Sequence, residues 1–261
     1  MTRAAIITGS ATGLGVRTAV ELALHGVSIG INYVQSKSEA EDLAAYLRSH
    51  FNVKAVTIQG NVAKSTEAGS VVKQFIREFG RVDILINNAG PFIHCRKKMA
   101  DYSDMEWYQM IDGNLSSAFF MSRLVLPAMR ERKWGRIINI GYDRCETAPG
   151  WVYRSAYAAA KTGLVALSRT LALEEAANGI TVNVVCPGDI KVPWKDADIE
   201  QARVSANNQG AIERTGTGQD VGRVISFLCD QNSDYVTGAV ISVNGNVDVL
   251  SRHRPKVTTD I

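Results

Sequence analysis

The chain has 261 residues, enough for one sizeable α/β domain or two small ones. Its 46% hydrophobic and 21% charged residues are those of an ordinary globular protein, and a net charge of +3 is too small to argue for a nucleic-acid partner. No apolar run approaches the roughly 18 residues a membrane span requires.

In chain order, β-rich runs fall at 4–8, 27–32, 53–58, 82–87, 136–140, 180–185 and 239–243. Helix-period stretches cover Leu14 to His25, Ser38 to His50, Thr66 to Phe79 and Leu115 to Glu131. This alternation is the sequence form of a parallel sheet covered on both faces. Gly26, Gly80, Gly135 and Gly179 each follow a helical stretch just before a strand, where a left-handed cap residue is expected. The polar stretch 189–216 shows no clear strand, and 251–261 reads as a tail or interface arm. Without a linker or repeat, 1–261 reads as a single domain. Strand-like residues begin by Ala4, so no signal peptide is expected. Cys95, Cys145, Cys186 and Cys229 show no CxxC spacing and no nearby histidine pair, which argues against a zinc site and a disulfide framework and suits a reducing cytoplasm. Arg96-Lys97-Lys98 is a local basic patch, read as a solvated loop or as an attractor of an anionic substrate carrier.

Two motifs carry chemistry. Directly after the first apolar run comes TGSATGLG, Thr8 to Gly15. Here Gly9 permits a tight turn, while Gly13 and Gly15 allow close approach to a pyrophosphate at a helix N-terminus that begins near Leu14. Far downstream, Tyr157 and Lys161 stand four residues apart in SAYAAAKTG, on one face of a helix. An ammonium beside a phenol favours the phenolate, which is expected to lower the pKa of Tyr157 and make the pair a general acid/base.

These motifs, with NNAG at 87–90, Asn114 in GNLSSAFF, GRIINIG at 135–141, CPGDI at 186–190 and YVTGAVISVNG at 235–245, follow one another as they do in short-chain dehydrogenases/reductases. The whole chain resembles that family, most nearly its 3-oxoacyl-carrier-protein reductase-like branch. The resemblance implies a Rossmann-type three-layer α/β/α sandwich with a seven-stranded parallel sheet. It also implies a cofactor site built from Gly9, Ser10, Thr12, Gly13, Leu14, Gly15, Tyr33, Asn61, Val62, Asn88, Ala89 and Gly90. Tyr157, Lys161, Pro187, Gly188 and Ile190 complete that site. The end of the second strand, Asn32 to Lys37, has no acid until Glu39, while Ser36 and Lys37 suit a phosphate, so NADP(H) is favoured over NAD(H). Where the family commonly has threonine two residues after Ile190, this chain has Val192, and the resemblance implies that 189–216 is a mobile lid over the substrate site with a short helix.

By resemblance, Tyr157 is the proton donor to a carbonyl oxygen, Lys161 holds the nicotinamide ribose and Asn114 anchors a water. The family's serine after the fifth strand is missing: Tyr142 takes the strand-aligned place, Arg144 the place counted back from Tyr157, with Thr147 and Ser155 as weaker substitutes. Tyr142 is the substrate-binding candidate. Phe92, Trp151, Tyr153 and Trp194 read as an aromatic pocket rim or as packing residues. Two functions remain: an NADP-dependent oxidoreductase acting on a small carbonyl/alcohol substrate or acyl thioester, or a dinucleotide-binding protein with weak or no turnover. By resemblance, too, the chain forms a homotetramer (or homodimer) through helices near 115–132 and 156–177, whose small residues Ala156, Ala159, Ala160 and Gly163 permit close approach.

Overall fold

Alternate residues of the first strand bury on opposite sides: Ala5 and Ile7 join one apolar layer, Ala4 and Ile6 the other. A strand buried on both faces belongs in the middle of a covered parallel sheet. The computed structural model, which describes residues 2–205, 212 and 214–250, has that sheet. Its strands are β1 (Ala4–Ile7), β2 (Ser28–Tyr33), β3 (Ala55–Gln59), β4 (Ile84–Asn87), β5 (Gly135–Ile140), β6 (Ile180–Pro187) and β7 (Val240–Val243). They run parallel in the order β3-β2-β1-β4-β5-β6-β7, with Ile6 in register with Gly30 on one side and Leu85 on the other. One face is covered by α1 (Leu14–Leu24), α2 (Lys37–Phe51) and α8 (Gly218–Cys229). The other is covered by α3 (Ser65–Phe79), α5 (Ser117–Arg132) and α6 (Ser155–Glu175). The result is the Rossmann-type three-layer sandwich. The strand order reverses between β1 and β4, and the crevice beyond their carboxyl ends is where such sheets bind ligands.

Two expectations need correction. Gly26, Gly80 and Gly179 take positive φ angles as left-handed caps, but after α5 that conformation falls on Lys133. Gly135 is the first residue of β5, and its missing side chain makes room for Met129, whose sulfur would lie 2.6 Å from a Cβ there. The helix expected from Leu115 starts earlier, because α4 (Asp104–Ile111) runs through a π-helical turn, Asp112–Ser116, into α5. Of the small residues on α6, Ala156 and Ala160 are fully buried and Gly163 packs on Leu115, while Ala159 is exposed. The lid segment contains α7 (Ile199–Val204), started by a capping box of Asp198 and Gln201. Residues 206–211 and 213 of that segment, and the expected tail at 251–261, lie outside the described residues.

Candidate active site

The turn after β1 is held by its own Thr8 and by side chains from the ends of two other strands, β2 and β4. Thr8 Oγ1 accepts the amides of Asn88 (3.0 Å) and Ala89 (2.9 Å). Asn88 Nδ2 returns two bonds of 2.9 Å to the carbonyls of Thr8 and Gly9. From the far side, Asn32 Oδ1 accepts the Gly9 amide while its Nδ2 donates to Ile58 and Gly60. The expected NNAG segment and glycine turn are therefore one unit. Thr8 and Asn32 were not singled out in the sequence as parts of this unit, since their partners lie 23 to 81 residues away.

Gly13 caps α1 with φ 66° and no side chain bonds the first-turn amides, so the positive end of the helix faces outward. A Cβ on Gly15 would lie 2.6 Å from Ser10 Cα, which is why the helix sits so tightly on the turn. Ser10 turns its hydroxyl inward to the Ile7 carbonyl (2.9 Å), whereas Thr12 is exposed at the crown. These groups fit a pyrophosphate: uncapped amides, no side chain in the way, and a fixed backbone. Lys195 was not anticipated. Its Cδ lies 3.9 Å from where a Gly13 Cβ would be, and its ammonium has no ion pair or hydrogen bond among the described residues.

At the end of β2, Tyr33 is buried in the core, and Lys37 in the first turn of α2 pairs with exposed Glu41 at 3.7 Å. Val62 is buried, and Asn61 Oδ1 accepts the Ala63 amide, so part of its capacity to contact an adenine is already used. Beyond β6, Gly188 lies against Asn244, Ile190 is buried, and Pro187 leads into the turn. The following segment lines a cavity of about 600 Å³ with Trp194, Arg214 and Asn244.

Tyr157 occupies the first turn of α6 and Lys161 the next. Lys161 is 3% exposed and Nζ donates to the Ile140 carbonyl at 2.7 Å, 5.8 Å from the Tyr157 ring centroid. Asn114, in the π-helical turn, donates to the Pro91 and Met110 carbonyls, leaving a buried Oδ1 without a partner. A side chain on Gly90 would run into that oxygen and come within 3.4 Å of Lys161 Nζ. Asn114, Lys161 and the open face of Gly90 thus border one small space.

Burial pushes the Lys161 ammonium down to about 8 and pushes the Tyr157 phenol up. The lowered phenol pKa expected from the lysine is absent in the protein alone: loss of hydration, followed by the neighbouring Cys145, Tyr142 and Cys186, pushes it up. Around the phenol stand Phe92 (ring centroid 5.0 Å away), Trp151 (5.9 Å) and Tyr142 (6.0 Å). Tyr153 uses its carbonyl to hold Tyr102, and Trp194 lies in the lid cavity, so neither belongs to this cluster. Of the basic patch, Lys97 is tied to Glu106.

Among the candidates for the missing serine, the ring of Tyr142 alone stands in the aromatic cluster at Tyr157. Arg144 reaches away to Asp248, and Thr147 bonds the Arg144 carbonyl. The Tyr142 hydroxyl, however, is buried and unpartnered. Burial raises its pKa; Thr162 eases the shift but bonds the Cys145 carbonyl instead, at 3.5 Å. An oxyanion donor must point its hydrogen at the reacting oxygen. In this conformation the Tyr142 phenol points into the protein.

A phosphate-ready turn at the switch point of a parallel sheet, with a phenol and a lysine two strands away, defines a dinucleotide-dependent oxidoreductase. The family described as enoyl-(acyl carrier protein) reductase matches residues 9–247. YtkK of Bacillus subtilis, a provisionally named oxidoreductase, is 43% identical over 97% of this chain and 99% of its own length. The 3-oxoacyl-[acyl-carrier-protein] reductase FabG of Staphylococcus epidermidis is 34% identical over 95% and 99%. A structure of a provisionally named 3-oxoacyl-reductase from Bacillus thuringiensis superposes with TM-score 0.88 at 42% identity, covering 96% of this chain and all of that one. A blue fluorescent protein from a metagenomic library, in complex with NADPH, has TM-score 0.81 at 31% identity, covering 93% and 96%. The chain belongs to the short-chain dehydrogenase/reductase family and is a nicotinamide-dependent dehydrogenase/reductase. No helix among the described residues is long and apolar enough to cross a membrane.

Proposed function

We propose that this protein is a cytoplasmic NADPH-dependent reductase of a small carbonyl substrate, with 3-oxoacyl thioesters the first class to test. The carrying observation is the buried Lys161 held by the Ile140 carbonyl, one helical turn from Tyr157 and bordering the same space as Asn114. When bound, the nicotinamide supplies the hydride. Tyr157 then donates its proton to the oxygen as charge develops there; a phenol held protonated by burial suits the reducing direction. Lys161 would hold the nicotinamide ribose and re-supply charge and protons, and the Oδ1 of Asn114, without a hydrogen-bond partner, is an acceptor for a water that links it to solvent. Tyr142 shapes the pocket wall, and the carbonyl is polarised by Tyr157 without a second side-chain donor. The thioester class rests on the likeness to FabG.

The preference for NADPH is supported by the absence of a carboxylate after β2 and by Lys37 and Ser36 at the positive end of α2. Lys195, free above the glycine turn, supplies the phosphate contact that Val192 does not. NADPH is expected to bind about tenfold more tightly than NADH, roughly 1.4 kcal/mol, in a fluorescence titration. Lys195→Met should weaken both cofactors alike, because both carry the pyrophosphate; loss confined to NADPH would move Lys195 to the 2′-phosphate. Oxidation of NADPH with a panel of carbonyls and 3-oxoacyl thioesters tests the reaction itself, and no turnover on any of them counts against it. Assembly into homotetramers (or dimers) is supported by the outward apolar residues Met105, Trp107, Tyr108 and Phe119 of α4 and α5, and light scattering at micromolar concentration tests it.

A further inference from the structure

Behind the aromatic cluster, the fold brings together two cysteines that are 41 residues apart. Cys145 Sγ and Cys186 Sγ lie 3.4 Å from each other, and both residues are fully buried. A carboxylate oxygen of Glu146 completes a group whose ligand atoms all lie within 4.8 Å of one another. We propose that Cys145, Cys186 and Glu146 form a site for one thiophilic divalent cation of the Zn²⁺ class, set behind the proton-donor tyrosine.

Three observations carry this. The first is the sulfur spacing. A tetrahedral ion about 2.3 Å from each sulfur holds the two roughly 3.8 Å apart, whereas a disulfide needs about 2.05 Å. The ion asks the pair to open by a few tenths of an ångström; the disulfide asks it to close by more than 1 Å.

The second is the set of buried polar atoms without partners. Glu146 Oε2 and the Tyr142 hydroxyl are both buried without a hydrogen-bond partner, and Tyr142 packs in one cluster with Cys145 and Cys186. Tyr142 itself is 4% exposed. Buried groups in this condition call for a ligand or an ion.

The third is the surroundings. Val165, Val184 and Leu250 wall the thiols, and Glu146, the one partly exposed member, marks the way in. An acid beside two thiols in an apolar setting is a donor set for a borderline-soft cation, not for Mg²⁺ or Ca²⁺. Binding releases the two thiol protons to solvent, so the cluster keeps its net charge. The bound ion ties the loop of Tyr142 to the strand end at Cys186, directly before Pro187 and Gly188.

The test uses the whole protein, stripped with a chelator under reducing conditions and titrated with Co²⁺, then Zn²⁺. The expected result is one equivalent of Co²⁺ with a near-ultraviolet thiolate charge-transfer band, displaced by Zn²⁺. At a hundredfold excess over Kd, Zn²⁺ should raise Tm by about 5 °C. Cys145→Ser and Cys186→Ser should lose the band, and Cys95→Ser should keep it. Glu146→Gln should retain the band with affinity lowered about tenfold or more. Should a buried cysteine variant fail to fold, Glu146→Gln and Cys95→Ser still decide the matter. The absence of a saturable band in the parent overturns the proposal. So does a band that survives Cys186→Ser, vanishes with Cys95→Ser or is indifferent to Glu146→Gln. Rapid formation of a Cys145–Cys186 disulfide by a mild oxidant, with no metal band in the reduced protein, would make the pair a redox couple instead.

Discussion

The two ends of the crevice are built differently. At the dinucleotide end, Thr8, Asn32 and Asn88 spend their side-chain polar atoms on backbone groups of the turn and its neighbours, and the turn is closed by bonds from the ends of β2 and β4. At the substrate end, the buried atoms Asn114 Oδ1, Tyr142 OH and Glu146 Oε2 have no hydrogen-bond partner, while Asp143 Oδ2 and Arg144 Nε have only the ion pair of 3.9 Å between them. Unmet hydrogen-bonding capacity costs stability and is kept where a ligand will use it. One end is a finished socket, and the other waits for its contents.

The sharpest test of that contrast is Tyr157→Phe, which should lower turnover by about 10² to 10⁴ while leaving NADPH affinity unchanged in a direct titration. A matching loss of affinity would mean that the two ends are not separable. At the finished end, Asn88→Ala removes two bonds to the glycine turn. It should lower stability by about 2–3 kcal/mol and weaken cofactor binding at the same time, read by chemical denaturation and titration.

Lys161→Met should abolish turnover yet stabilise the protein by about 1–3 kcal/mol near pH 7, since it removes a buried cation whose pKa is pushed down to about 8. The sign follows from proton binding. Between pH 8 and 10 the unfolded lysine holds its proton more firmly than the folded one, so parent stability rises with pH and its gap to Lys161→Met narrows. A gap independent of pH over that window would contradict the shift. The smallest effect should come from Tyr142→Phe. Deleting an unpartnered buried hydroxyl should leave stability equal or higher by about 1 kcal/mol, with turnover within about threefold of the parent. A loss of about 10² or more would show that the hydroxyl turns to the substrate in the working enzyme.

Much of the architecture was legible in the sequence because its signals are local. Strand–helix alternation, the glycine turn and the i,i+4 pair at Tyr157 depend on near neighbours. Gly135 shows the limit: its neighbourhood reads as a cap, but Met129 in space decides why glycine is there. The wiring of Thr8 and Asn32, the approach of Lys195 to Gly13 and the meeting of Cys145 with Cys186 all join distant segments, and no periodicity announces them. The pKa of Tyr157 was misjudged for a related reason: the spacing reveals the lysine, but burial is a property of the whole fold.

The glycine turn held by Thr8 and Asn88 has a consequence for how association proceeds. Its bonds are satisfied by the protein itself, so the turn is preorganised, and a dinucleotide arriving there does not first have to order it. The conformational entropy that an unsupported loop would surrender at encounter has already been spent in folding, which leaves more of the contact energy to appear as affinity.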